Sequence, residues 1–146
     1  MVDRGEGGHI VNVASAAAYT PGRSYPAYAT TKAAVLMLTE SLGAELAGDG
    51  IGVSAVCPGF ARTGITTATR YVGVTDSEQD RRRRSADRIY ARRNLTPDQV
   101  AAGIVRAVRT DRAVMPVGAE AHLALAASRL APGMLRRLAR VDIGAR

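Results

Sequence analysis

The chain is short of every residue that staples, spans or stacks. Cys57 is its one cysteine, so an intrachain disulfide is excluded and a reducing cytosol fits. Because Cys57 closes an apolar run just before a proline, it reads as a small core residue rather than a nucleophile. Tryptophan is absent and Phe60 is the one phenylalanine, so a core must be packed from alanine, valine and leucine. No apolar run approaches the roughly 18 residues of a membrane span. Residues 1–9, MVDRGEGGH, are polar and glycine-rich, with no apolar region of the kind that leads a secreted chain. Met1 leads through this polar stretch straight into what reads as a buried strand, as an internal methionine would. Lysine is scarce too: of 20 basic side chains only Lys32 is not arginine. Arginine cannot replace an amine whose position matters, so that one exception draws attention.

What is present suits one modest domain. The chain has 146 residues, 47% of them hydrophobic, with a net charge of +7, so global disorder is excluded. His9–Ala14 is a short β-branched run, read as a buried parallel strand. Tyr19–Pro26 is turn-rich and reads as a loop. Tyr28–Ala47 carries apolar residues at helical spacing, with Gly48 and Gly50 as stops. Ile51–Cys57 is a second buried strand, halted by Pro58-Gly59. Arg62–Asn94 is polar, with a helix expected near Ser77–Arg92. Thr96 is placed to cap a helix that begins at Pro97 and runs to about Arg109. Ala113–Val117 reads as a strand, and Glu120–Leu130 and Met134–Arg140 as helices split by Pro132-Gly133. Strands alternating with helices predict an α/β fold with a parallel sheet.

Three polar residues fall where such a sheet gathers its chemistry. Ser15 follows the first strand; Tyr28 and Lys32, four apart, share one face at the start of the next helix. Ligands of open parallel sheets sit at the carboxyl ends of the strands. A free phenol, with a pKa of about 10, is a poor base at neutral pH, but a nearby ammonium favours its ionised form. Such a phenol can pass a proton to a carbonyl oxygen or take one from an alcohol. A serine hydroxyl beside it can hydrogen-bond the same oxygen. The matching hydride must come from a nicotinamide, since no side chain supplies one.

These residues and their surroundings resemble the short-chain dehydrogenase/reductase family. Ser15, Tyr28 and Lys32 match its S…YxxxK signature. Gly8–Ser15 is similar to its GxIVNxSS strand, Tyr28–Val35 to its YxASKAAV helix, and Ser54–Gly59 to its VxPG strand end. Thr63 stands where the family's PGxxxT threonine belongs. The resemblance covers about residues 5–65 tightly, and the order of elements follows it to the end. It implies a doubly wound, Rossmann-like sheet. Residues 1–60 would be the catalytic strand–helix–strand, 61–95 a substrate lid, and 96–146 the last helix, strand and tail. It also implies Tyr28 as acid/base, Lys32 on the nicotinamide ribose and Ser15 orienting the substrate oxygen. Pro58, Gly59 and Phe60 would line the nicotinamide face, and Thr63 would contact its carboxamide. The implied cofactor is NAD(P)(H), leaning to NADP, and the implied substrate is a small carbonyl or alcohol. The implied assembly is a homo-oligomer through the Tyr28–Ala47 helix, and the implied compartment is the cytoplasm.

The sequence departs from the family at one large feature. The TGxxxGxG loop that seats the pyrophosphate is missing, as are the NNAG segment and the ribose selector. Gly5–Gly8 has the wrong spacing and precedes a strand rather than opening a helix. The expected chain is therefore the C-terminal part of the fold, with its N-terminal strands absent and little turnover by itself. A second reading is a non-catalytic fragment or interaction module that keeps the pairing helix. A narrower resemblance, from Arg70-Tyr71 through Ser128–Pro132, is to reductase domains that follow an epoxide-hydrolase-like domain in bacterial fusion proteins. Tyr19 and Tyr25 are open to substrate contact or to loop packing. Arg81–Arg84 would point around a helix, which suits a solvated lid better than a nucleic-acid stripe. His9 and His122 have no acidic or cysteine partners at ligand spacing, so no metal is expected.

Overall fold

A computed structural model of the chain describes residues 1–140, apart from the side chain of Thr66. The last six residues of the expected tail, 141–146, lie outside the described residues. Three strands, β1 (Gly8–Val13), β2 (Ile51–Pro58) and β3 (Val114–Val117), form one parallel sheet in the order β1-β2-β3. The expected α/β class and parallel sheet are therefore present. Val13 pairs with Val56, and Pro58 with Val117.

Alternation along β2 assigns the two faces. Ala55 and Cys57 point one way, packing with Ala14 and Val114 under Val35 and Leu36 of helix α1 (Pro26–Glu45) and Leu125 of helix α5 (Ala119–Leu130). Val56 points the other way, packing with Met115 under Ala107 and Ile104 of helix α4 (Pro97–Thr110). The successive side chains of a strand face opposite sides, so apolar residues on both sides of β2 require cover on both faces. That is the double winding the sequence predicts.

Several boundaries differ from expectation for local reasons. Helix α1 begins at Pro26, two residues early, because proline is pre-organised for a first helical position. It ends at Glu45, and a 3-10 turn at Ala47–Asp49 leads to Gly50 in the left-handed region (φ 65°). Pro132 likewise opens the final helix α6 (Pro132–Leu138) instead of breaking one. A four-residue helix, α2 (Ile65–Ala68), is not expected from the sequence, being too short to show periodicity. Helix α3 (Asp76–Arg93) is one residue longer at each end than expected. Thr96 and Gln99 form a reciprocal capping box at α4. Helix α4 approaches β3 closely at Gly103, where a Cβ would lie 2.5 Å from Cγ2 of Val117.

Polar ties fix the layers. Asn12 of β1 donates to Thr39 of α1 at 3.1 Å, and Thr39 donates to Val35 O at 2.6 Å. On the opposite face of the sheet, the buried Ser54 donates to Arg112 O at 2.8 Å. Its oxygen must then accept from His9 Nε2, also 2.8 Å away, which makes His9 a packing element of the sheet. No helix among the described residues is long and apolar enough to cross a membrane.

Candidate active site

All three strands present their carboxyl ends to one edge, and the residues singled out from the sequence lie along it. Ser15 follows β1 in extended backbone and caps a 3-10 turn at Ala16–Ala18, its Oγ accepting from Ala17 N at 3.2 Å. A hydroxyl that accepts keeps its own proton to donate to another oxygen. The chain then turns under itself. Tyr19 donates to Ala121 O at 3.3 Å and lies beside the Cys57 thiol. Burial raises the Tyr19 phenol well above its ordinary range and pushes the Cys57 thiol up to about 11. Tyr19 is thus a packing residue beneath the site. The Tyr25 ring lies flat on Gly22, where a Cβ would collide with it.

Helix α1 starts there and brings up the other two residues. Tyr28 is exposed. Lys32 Nζ lies 5.8 Å from the centre of the Tyr28 ring and donates to Val13 O at 3.2 Å. That one amine ties the first turns of α1 to the end of β1, beside Ser15. A compact ammonium on a flexible stem makes this contact through a single donor atom.

The second wall is the turn after β2. Pro58 is buried, and Phe60 is partly exposed. The Phe60 ring meets Tyr90 of α3 edge-on, with centres 5.2 Å apart and planes at 83°, while the Arg93 guanidinium sits 5.8 Å from its centre. Ala61 bridges to Leu95, and Arg62 N donates to Leu95 O at 2.8 Å. The expected lid, residues 61–95, is therefore attached to the edge at its C-terminal end. Thr63 Oγ1 accepts from Ile65 N at 3.5 Å, a weak cap on α2. A cleft of about 350 Å³ lies within residues 61–95, between Arg62–Gly64 and α3, lined by Arg62, Thr63, Gly64, Asp87, Tyr90 and Ala91 and not by Ser15, Tyr28 or Lys32. Burial, followed by the neighbouring phenols of Tyr28, Tyr71 and Tyr25, raises the Tyr90 phenol.

The arginine run lies on α3, within the segment expected as a lid. Arg82 pairs with Glu78 and covers the Tyr71 ring, and Arg83 donates to Thr69 O at 2.9 Å. Two residues at the site carry no motif in the sequence. Tyr90 could be suspected only as the one aromatic in a charged helix. Glu120, whose carboxylate accepts from Phe60 N at 2.9 Å, is an acid in a first helical turn and looks like any other.

An ammonium, a phenol and two hydroxyls on one edge suit the hydroxyls of a ribose and a carboxamide. These donors and acceptors along the strand edge fit a nicotinamide nucleotide. A family model described as short chain dehydrogenase matches residues 1–71. The probable oxidoreductase EphD of Mycobacterium bovis is 42% identical over 145 residues, which is 98% of this chain and 24% of that protein. A short-chain dehydrogenase/reductase from Burkholderia phymatum, solved with NAD, superposes with a TM-score of 0.75 at 29% identity, over all of this chain and 54% of that one. A short-chain dehydrogenase from Burkholderia cenocepacia, solved with NADP, has the same fold at a TM-score of 0.70 and 22% identity, over 93% of this chain and 48% of that one. The chain therefore spans about a quarter of the curated relative and about half of the solved ones.

Proposed function

Because this chain belongs to the short-chain dehydrogenase/reductase family, we propose that its protein interconverts a small carbonyl compound and the corresponding alcohol with NAD or NADP. The observation that carries this reading is Lys32 Nζ, held 5.8 Å from the Tyr28 ring centre and bonded to Val13 O at the strand edge. Tyr28 is the acid/base: in reduction its hydroxyl proton goes to the carbonyl oxygen, and in oxidation it takes the alcohol proton back. Ser15 donates to the same oxygen and stabilises its growing charge. Lys32 holds the ribose hydroxyls and supplies a fixed positive charge beside the phenol. Pro58, Gly59 and Phe60 line the nicotinamide face, and Thr63 takes the carboxamide. The dinucleotide, when bound, supplies or accepts the hydride. Residues 61–95, joined to the strand edge at Ala61, Arg62 and Leu95, select the substrate.

Tyr28→Phe in the full-length protein tests this. The expected result is a loss of roughly 10²–10⁴ in turnover, the usual contribution of a positioned acid/base, with dinucleotide binding retained. Turnover at the wild-type rate would overturn the assignment. No glycine-rich pyrophosphate motif occurs within residues 1–146, so this segment alone should turn over weakly, lacking the means to hold the reactants at attack distance.

A second reading draws on α1, whose Met37 and Leu38 are 63% and 55% exposed. That face would pair with a second copy of the chain, in a working enzyme or in a module that only associates. Sedimentation of wild type against a Met37→Glu, Leu38→Glu double variant tests the pairing, which charge on that face should abolish. The proposed compartment is the cytoplasm.

A further inference from the structure

The turn that leaves β2 has four successive backbone N–H groups, and each has a traceable acceptor. Gly59 donates to Val117 O at 2.9 Å, Ala61 to Gly59 O at 3.0 Å, and Arg62 to Leu95 O at 2.8 Å. Phe60 is the one of the four that donates to a side chain, Oε1 of Glu120, at 2.9 Å. Glu120 reaches it from the first turn of α5, sixty positions along the chain. The fit is close. A Cβ at Gly59 would lie 2.5 Å from Cγ and Oε1 of Glu120, and one at Gly118 would lie 3.4 Å from its Oε2. The carboxylate is thus wedged between two glycines, at a helix terminus whose dipole favours negative charge.

We infer that Glu120 is the positioning residue for the Pro58–Phe60 turn, and through it for the nicotinamide face of the site. The inference rests on the oxidoreductase function proposed for the protein. Phe60 is gripped twice: α5 holds its amide through Glu120, and the lid holds its ring through Tyr90 and Arg93. The backbone bonds of Gly59 and Ala61 fix the start of the turn, and the Arg62 bond fixes its exit. For the backbone of the residue between, the acceptor is Glu120. Without that acceptor the Phe60 amide turns to water, and the ring can drift with the lid. Reacting groups displaced by even about 1 Å lose much of their alignment.

A purely structural role for Glu120, as an acid that stabilises the α5 terminus, makes a different forecast. Glu120→Ala and Glu120→Gln both remove the charge, but only the alanine removes the acceptor. The experiment compares the two in the full-length protein, reading amide exchange at Phe60 and the dissociation constant of the dinucleotide by fluorescence titration. In Glu120→Ala, Phe60 exchange should accelerate and dinucleotide binding weaken, each roughly tenfold, as expected for losing one hydrogen bond to a charged group. In Glu120→Gln both should stay within about twofold of wild type, because the amide oxygen still accepts. Equal losses in the two variants would overturn the inference in favour of the helix-terminus role. Unchanged Phe60 exchange in Glu120→Ala would overturn it as well. A wild-type protein that binds no dinucleotide would defeat the oxidoreductase function instead, and the exchange comparison would still uphold or sink the hold of Glu120 on the turn.

Discussion

Alkaline pH should loosen this chain from directly beneath its candidate site. Cys57 is fully buried two residues before Gly59, and its thiol is raised from 9.0 to about 11. Burial is the main cause. The backbone of Ser15, the Tyr19 hydroxyl and the Lys32 charge pull partly the other way, and Glu40 adds to the rise. The folded state therefore holds this proton more tightly than the unfolded one. Between the two values the folded state binds more protons, so stability falls as pH rises. The contribution is whole below about pH 9 and fades towards pH 11. A rise of this size implies a loss on the order of 1 kcal/mol at pH 10 and on the order of 2 kcal/mol at pH 11. Urea melts of wild type and Cys57→Ala near pH 8, 10 and 11 isolate the effect. At pH 8 the wild type should be the more stable, because truncation leaves a small cavity. That gap should shrink by the same amounts as the pH rises. Tyr19 titrates in the same direction and is coupled to Cys57, so both proteins should carry Tyr19→Phe to isolate the thiol. A gap that stays constant across this range would refute the account of a thiol kept protonated by burial.

Two further outcomes follow from contacts of the lid and sheet. Tyr90→Ala removes the edge-on contact with Phe60, worth about 0.5–1.5 kcal/mol, and opens the cleft. Steady-state kinetics should show a raised KM for the carbonyl substrate with the dinucleotide KM little changed, and an unchanged substrate KM would remove Tyr90 from the substrate wall. Gly103→Ala places a methyl 2.5 Å from Val117 Cγ2, and overpacking of this kind costs about 1–3 kcal/mol. A variant as stable as wild type by thermal melting would show that α4 can move away from β3 freely.

Legibility divides along the line between local and distant contact. Ser15, Tyr28 and Lys32 can be read because spacing along one strand, one loop and one helix face brings them together. The strands are legible because their short apolar runs end at glycine, serine or proline, and β2, buried along nearly its whole length, must be covered twice. Pro26 and Pro132 mislead because proline reads as a breaker, whereas at a first helical position it loses no hydrogen bond. Helix α2 has too few residues for a period to emerge. Glu120 and Tyr90 are out of reach for a different reason. Glu120 meets Phe60 across sixty positions of sequence, and Tyr90 meets the same ring from the far end of the lid. No local pattern encodes either meeting; each exists only once the sheet and lid are assembled.

The parallel ladder works as a ruler. Val13 sits level with Val56, Ala14 N bonds to Val56 O at 2.8 Å, and Pro58 sits level with Val117. Ser15, the Pro58 turn and the start of α5 therefore emerge at heights set by strand pairing, whatever the loops between them do. One residue of slip would move an edge by about 3.3 Å and turn every side chain on that strand to the wrong face. Insertions inside β1 or β2 should thus be ruinous, while insertions between Thr63 and Tyr90 reshape the cleft without moving the strand edge. The segment between Thr63 and Tyr90 can therefore be rewritten while three short strands keep the edge where it is.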